Sequence, residues 1–435
     1  MGDTRSQGMA SERALEEAAA GIERRRARTL LARITIDLTP LRESPPFRRL
    51  WLGQSVSLVG SMVSVVAIPY QVYELTGSTL AVGLLGVAAL VPLLTVPIVA
   101  GAIADAVDRR TLLLIAEVGL VAVTAGNLAN ALLPDPLVWV PFAVTVLGTS
   151  FLGLARPATS AMTPRLVGED RIAAAMALQG VYASFGRVVG PALGGILIAS
   201  IGVEGAYAVD LGSYAFALVA VWLLPKVPPA DVVDALGTRS VVEGLRYVRG
   251  NRVILAAMLI DTVAMVFGMP AALFPALGDD LGQGARTVGL LFAAPYAGAL
   301  AASLVSGVAT HARRQGLGVV VAVIAWGLAI AAVGLVDSLP LVLGFLVLAG
   351  AADYLSAVLR SAITLAAAPD AMRGRISGIE YAQVAGTPQL GNLEAGVVAA
   401  LVSVQFSIAS GGVACVLGAL AVALLLPELI AYRRP

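Results

Sequence analysis

From residue 48 onward the sequence is a succession of long apolar runs, parted by short stretches that hold the prolines and charges. A helix needs about 20 apolar residues to cross the hydrocarbon of a bilayer. Twelve runs of that kind can be bounded, at about 48–73, 79–104, 111–132, 137–161, 171–200, 205–224, 252–277, 286–309, 316–336, 340–367, 374–402 and 405–426. Of the 435 residues, 58% are hydrophobic and only 13% charged, with a mean hydropathy of +0.87, whereas about a quarter of a soluble domain is charged. Twelve crossings and their loops use up the chain and leave little for a soluble domain.

The basic residues test this threading independently. Ten arginines precede or open the first run. Further on, basic residues gather in alternate loops: Arg109 and Arg110; Arg156, Arg165 and Arg171; Lys226, Arg239, Arg246, Arg249 and Arg252; Arg313 and Arg314; Arg373 and Arg375; Arg433 and Arg434. The opposite loops hold only Arg286, beside acids such as Glu74, Asp135, Glu204, Asp279, Asp280 and Asp337. By the positive-inside rule both termini are cytoplasmic, and an odd number of helices would scramble the segregation. The polar start predicts no cleavable signal peptide. Ser11 to Arg33 reads as a basic tail that reinforces orientation, with a helix on the membrane surface as the alternative.

The polar stretch 225–250, with Pro225, Pro228, Pro229 and Gly237, divides the helices six and six. The expected organisation is a cytoplasmic tail (1–46), an N-terminal six-helix bundle (47–224), a cytoplasmic linker (225–250), a C-terminal six-helix bundle (251–427) and a short cytoplasmic tail (428–435). The halves echo each other: Gly83-Leu84-Leu85 recurs as Gly289-Leu290-Leu291 and Gly101 as Gly307, both 206 residues on, while Arg171 is matched by Arg375. An all-α membrane protein of two pseudo-symmetric six-helix bundles is the pattern of secondary transporters, with the substrate site near mid-membrane between the halves.

Two motifs carry more than packing. After the second run comes Gly101-Ala-Ile-Ala-Asp105-Ala-Val-Asp108-Arg109-Arg110, where glycine permits close approach, aspartate accepts hydrogen bonds and the arginines can hold a partner carboxylate in one conformation only. In the fifth run, Gly186-Arg187-Val-Val-Gly190-Pro191-Ala-Leu-Gly194-Gly195 clears one helix face for a close neighbour, and its proline adds a kink.

Together these features resemble the major facilitator superfamily, whose signature between helices two and three has the form of the first motif and serves as a cytoplasmic conformational latch. Ala106 and Asp108 depart from the general signature, though Asp-Arg at the latter place is usual in one bacterial exporter branch. The second motif matches the fifth-helix antiporter motif of that superfamily (Gly186, Gly190, Pro191, Gly194, Gly195), associated with exporters that exchange substrate for protons. The segments Pro46-Phe-Arg-Arg-Leu-Trp51, Asn130-Ala-Leu-Leu-Pro134, Pro164-Arg-Leu-Val167, Phe274-Pro-Ala-Leu277 and Arg373-Gly-Arg-Ile-Ser-Gly378 are similar to the branch of siderophore (enterobactin) exporters and macrolide efflux proteins, over roughly residues 34–432. The resemblance implies proton-coupled export of a siderophore or drug-like molecule across a bacterial cytoplasmic (inner) membrane. Composition and spacing alone indicate a twelve-helix transporter.

Ionisable residues inside membrane helices are functional candidates. Arg187, Asp261 and Asp353 fall near the midplane; Glu117, Arg360 and Glu380 lie nearer the cytoplasmic face, and Asp210 and Glu394 in the outer half. Asp261 and Asp353, followed by Glu380 and Glu394, are the proton-coupling candidates. Arg360 and Glu380 are expected to form a gate or latch contact, with Arg375 beside the latch. Arg187 either attracts an anionic substrate or neutralises Asp261 or Asp353. Tyr70, Gln71, Asn127, Tyr296, Tyr354 and Gln383, with Tyr182, Tyr381 and Asn392 beside them, are the other candidates for lining a substrate cavity. The expected partners are a small-molecule substrate, protons and the lipid bilayer, without nucleic acid or cofactor, and the expected state is a monomer. An importer or facilitator is disfavoured by the fifth-helix motif. An intramembrane enzyme would need a nucleophile with its base, or metal ligands, and one loop histidine (His311) with one cysteine in an apolar run (Cys415) offers little.

Overall fold

A computed structural model describes residues 37–228, 238–282, 284–310 and 313–433. The tail before residue 37, linker residues 229–237 and His311 lie outside the described residues. Every regular element described is a helix.

The helices begin where their caps say they should. Ser44 accepts from the Phe47 amide (3.2 Å) and Pro45 occupies the first turn of α2 (Pro45–Thr76), which ends at Gly77 in the left-handed conformation, φ 60°. A short α1 (Thr39–Glu43) precedes it. α3 (Thr79–Ala106) returns, α4 (Arg109–Ala131) starts on the Asp108 cap, and α5 (Trp139–Val167) follows. α6 (Ile172–Trp222) is broken at Gly202, φ 76°, where a side chain would be strained. Its first limb runs parallel to α2, with Gly186 against Leu58, Gly190 against Met62 and Gly194 against Val63; its second limb runs antiparallel, with Gly60 against Ser213 and Gly53 against Ala217 and Ala220. The chain therefore reverses at Gly202, and one long helical stretch supplies the expected fifth and sixth crossings.

The linker ends in α7 (Thr238–Gly250), and Asn251 caps α8 (Arg252–Phe267) by accepting from the Val253 and Ile254 amides at 3.2 Å. The expected seventh crossing is not one helix. It breaks at Gly268-Met269-Pro270, resumes as a 3-10 turn and continues in α9 (Phe274–Asp280). Pro270 has no N–H to carry the ladder across the break. The Asn392 side-chain oxygen accepts the nearby Ala272 amide (3.2 Å), as backbone at membrane depth requires. α10 (Gly284–Thr310), α11 (Gln315–Val333), α12 (Leu339–Ala367), α13 (Asp370–Leu401), α14 (Val404–Leu425) and α15 (Glu428–Ala431) complete the fold.

Ten helical stretches are long and apolar enough to cross a membrane, among the described residues. The reversal at Gly202 divides one of them into two limbs. α13 is absent from the ten, but its 32 residues pack within the same bundle against α8, and against α3 across the interface.

The two bundles meet at the end away from the chain termini. Near the start of α3, a Cβ on Gly83 would stand 2.7 Å from the Asn392 carbonyl and 3.3 Å from the Gly396 Cα of α13. At the corresponding place in the other half, a Cβ on Gly289 of α10 would stand 2.7 Å from the Pro191 carbonyl and 2.6 Å from the Gly195 Cα. The two glycines that repeat 206 residues apart thus make equivalent crossings. The largest apolar cluster follows the same geometry, running through the C-terminal bundle and reaching Val63, Val66, Ile198 and Tyr207 of the N-terminal one. A separate cluster around Leu50, Leu113, Met162 and Val221 fills the N-terminal bundle near the termini.

Candidate functional site

In the C-terminal bundle Asp261 of α8, 3% exposed, forms an ion pair with Arg360 of α12, 7% exposed. Gln383 of α13 donates Nε2 to Asp261 Oδ2 at 3.0 Å, to the Met258 carbonyl at 2.7 Å and to Thr262 Oγ1 at 3.1 Å. Glu380, one turn earlier on α13, accepts from the Ser361 hydroxyl at 2.9 Å and lies within electrostatic reach of Arg360. A single charge in hydrocarbon is costly, whereas a hydrogen-bonded pair compensates both members. The ion pair of Arg360 is thus with Asp261 rather than with the expected Glu380, because α8 and α12 pack side by side and bring the two side chains together. Asp353, two turns from Arg360, and Glu394 are half-buried, with no hydrogen bond or ion pair described.

The cavity candidates divide. Gln71 and Asn127 do not line the interface between the bundles: both are buried inside the N-terminal bundle, where Gln71 Oε1 accepts from the Tyr207 hydroxyl at 2.9 Å. Gln383 is committed to the Asp261 network. Tyr70, Tyr296 and Tyr354 are half-buried. Arg187 is exposed and has no described partner, so it neutralises neither Asp261 nor Asp353. It lies one turn from Pro191 on the face of α6 that turns toward α10.

A contact that the sequence does not suggest joins the halves. The Arg156 guanidinium of α5 sits 4.6 Å from the Tyr381 ring centroid of α13, with Nη1 donating to the phenol oxygen at 2.5 Å. Charge patterning alone puts Arg156 beside a loop, but α5 runs on to Val167 and carries it well inside the helix. Its placement before Pro157, with Pro164 and Arg165 still to come, is the signal available in the sequence.

The glycine run of α6 serves two partners. Gly186, Gly190 and Gly194 admit α2 within the bundle, while Pro191 and Gly195 admit α10 across the interface. The loop after α3 behaves differently from the expected carboxylate latch. Asp108 accepts from the Thr111 amide (3.0 Å) and the Val227 amide (2.8 Å); Arg109 donates to the Pro228 carbonyl (2.9 Å) and Arg110 to those of Val221 and Trp222. Arg110 sits at the negative C-terminal end of α6, while Arg109 holds a linker carbonyl beyond it. The surroundings of Gly101 and the side chain of Asp105 lie outside what the structure describes. Arg375 pairs with Glu243 of α7 at 2.9 Å, just as Arg171 pairs with Glu43 of α1. Each arginine ties the short helix ahead of its own bundle to that bundle, which extends the sequence repeat to its contacts.

Two bundles of long apolar helices, related by repeated glycine crossings and holding a buried ion pair, define a secondary transporter of the major facilitator superfamily. Solved structures agree on the fold: the nucleoside transporter NupG superposes with a TM-score of 0.70 at 12% identity, covering 89% of this chain and 98% of that one. An inward-facing, occupied bacterial homolog of the human lysosomal transporter Spinster gives 0.68 at 16% identity, covering 88% and 97%. The chain belongs to the transmembrane secretion effector family, whose model matches residues 35–431. It is 30% identical over 404 residues to proteins named enterobactin exporter EntS from Citrobacter koseri and from Escherichia coli O139:H28, spanning 92% of this chain and 96% of each relative.

Proposed function

We propose that the protein is a proton-coupled exporter of a medium-sized organic compound, a siderophore or a drug-like molecule, working by alternating access as a monomer in the bacterial cytoplasmic membrane, with both termini cytoplasmic. The enterobactin exporters among its relatives support a siderophore as cargo. The observation that carries the coupling is Arg360, bound to Asp261 with Glu380 as a second carboxylate in reach. A proton on Asp261 would weaken that ion pair and release Arg360 toward Glu380. The change would loosen α8 from α12 and give the inward and outward states different proton affinities, without which no gradient could drive the exchange. Asp353 is the second candidate carrier, with Glu394 behind it.

Everted vesicles test the reading: cargo accumulation is expected to stop when the proton gradient is collapsed and to be lost in the Asp261→Asn/Asp353→Asn double variant. Transport that survives either treatment would sink it. Comparing siderophore secretion with drug susceptibility in deletion and complemented strains separates siderophore export from multidrug efflux.

A further inference from the structure

A polar seam runs through the N-terminal bundle and holds two acids that no cation reaches. α2 presents Gln54, Ser61, Ser64 and Gln71, spaced so that all four lie on one face. The second limb of α6 presents Tyr214, Asp210 and Tyr207, and α4 presents Glu117, Thr124 and Asn127. The side chains pair along the seam. Gln54 Nε2 donates to Glu117 Oε1 at 3.0 Å. The Ser61 hydroxyl donates to the Leu58 carbonyl at 2.9 Å, and buried Tyr214 lies one turn from Asp210 on the same limb. Ser64 donates to Asp210 Oδ2, and Ser213 sits 3.3 Å from its Oδ1.

Glu117 and Asp210 are each 2% exposed. Neither has an ion pair among the described residues, and the charged groups on the elements around them are engaged elsewhere or exposed. Arg49 donates to the Leu223 carbonyl, Arg110 to that of Trp222, Arg165 to that of Pro228, and Arg156 is held by Tyr381, while Arg187 is exposed. Glu204 lies beyond Tyr207 at the far end. An ionised carboxylate in such a place is uncompensated. A second observation points to what compensates it: Glu117 Oε2 is fully buried with no hydrogen-bond partner, and so is Asn127 Oδ1. An orphaned acceptor at that depth is where a proton, or a water carrying one, belongs. At Asp210 the hydroxyl of Ser64 both donates and accepts, so the same contact serves either form of the acid.

We propose that Glu117 and Asp210 are proton-binding sites within this polar seam of the N-terminal bundle. The proposal deepens the proton-coupled reading, on which it rests for the use made of the protons but not for their binding.

Infrared pH-difference spectroscopy on the full chain in lipid, without substrate or gradient, reads the sites directly. The wild type is expected to show the C=O stretch of protonated carboxylic acids near neutral pH, with one band lost in Glu117→Gln and another in Asp210→Asn. Ser64→Ala keeps both acids and is expected to shift only the Asp210 band, which maintains the test if Asp210→Asn does not fold. Bands unchanged in both acid variants, loss of one band only, or no shift in Ser64→Ala would overturn the proposal. Gradient-independent export by the wild type would overturn the coupling reading and leave these bands in place. Proton-driven export with unaltered bands would overturn this proposal alone.

Discussion

Arg360 shows how a residue's role follows from what its neighbours leave uncompensated. Its side chain and that of Asp261 are both buried, so removing one strands the other. Breaking such a pair costs about 3–5 kcal/mol, whereas replacing both members together is often near neutral. Arg360→Met is therefore expected to lower thermal stability in detergent sharply, and Asp261→Asn/Arg360→Met to recover most of the loss. A double variant no more stable than Arg360→Met would mean that the pair is not a coupled unit. Arg156 is a milder case, because an exposed cation over an aromatic ring contributes about 0.5–1 kcal/mol. Tyr381→Phe keeps the ring and is expected to keep most of that contact, while Tyr381→Leu loses it; the comparison is read as melting temperature.

Within the first limb of α6, one motif separates into positions of unequal tolerance. A Cβ on Gly186 meets the end of the Leu58 side chain at 2.9 Å, which can move aside. On Gly195 it meets the Ala285 carbonyl at 2.6 Å and the Gly289 Cα at 2.8 Å, which are backbone. Overpacking of the second kind costs typically about 1–3 kcal/mol. The expected order is Gly186→Ala near wild type and Gly195→Ala destabilised, with Gly195→Ala also increasing labelling, by an impermeant thiol reagent, of a cysteine introduced at Thr79 in a Cys415→Ala background, since its clash lies between the bundles. The reverse order of stability would contradict the packing. The chemistry of such a run is legible in the sequence, but not its division between two neighbours. Helices that are apolar all round give no sign of which face turns inward. For the same reason Gln71 and Asn127 read as cavity residues, when α2 and α4 turn them into their own bundle.

For the whole molecule, length and apolar runs are enough to read an all-helical membrane fold, because a bilayer imposes those features one helix at a time. The buried pairings are not legible, since Asp261 and Arg360 lie on helices far apart in the chain and only packing joins them. The repeat does anticipate a symmetry of contact, seen in Gly83 with Gly396 and Gly289 with Gly195. If the halves must part there in each cycle, tethering them stops the protein. With Cys415→Ala as background, a short thiol cross-linker between Thr79→Cys and Val397→Cys, beside the Gly396 crossing, is expected to abolish export, restored by a cleavable tether. Undiminished export by the cross-linked protein would refute the motion.

If the halves part at those glycine crossings, the crossings themselves offer little resistance. Backbone laid against backbone buries little apolar surface, and its weak C–H to carbonyl contacts are worth about 0.5–1 kcal/mol each. The crossings themselves have few side chains to extract, but the apolar cluster that reaches Val63, Val66 and Ile198 must part with them. The work of opening that end would then be set chiefly by the apolar surface uncovered, at about 25 cal/mol per Å², and only slightly by the backbone contacts.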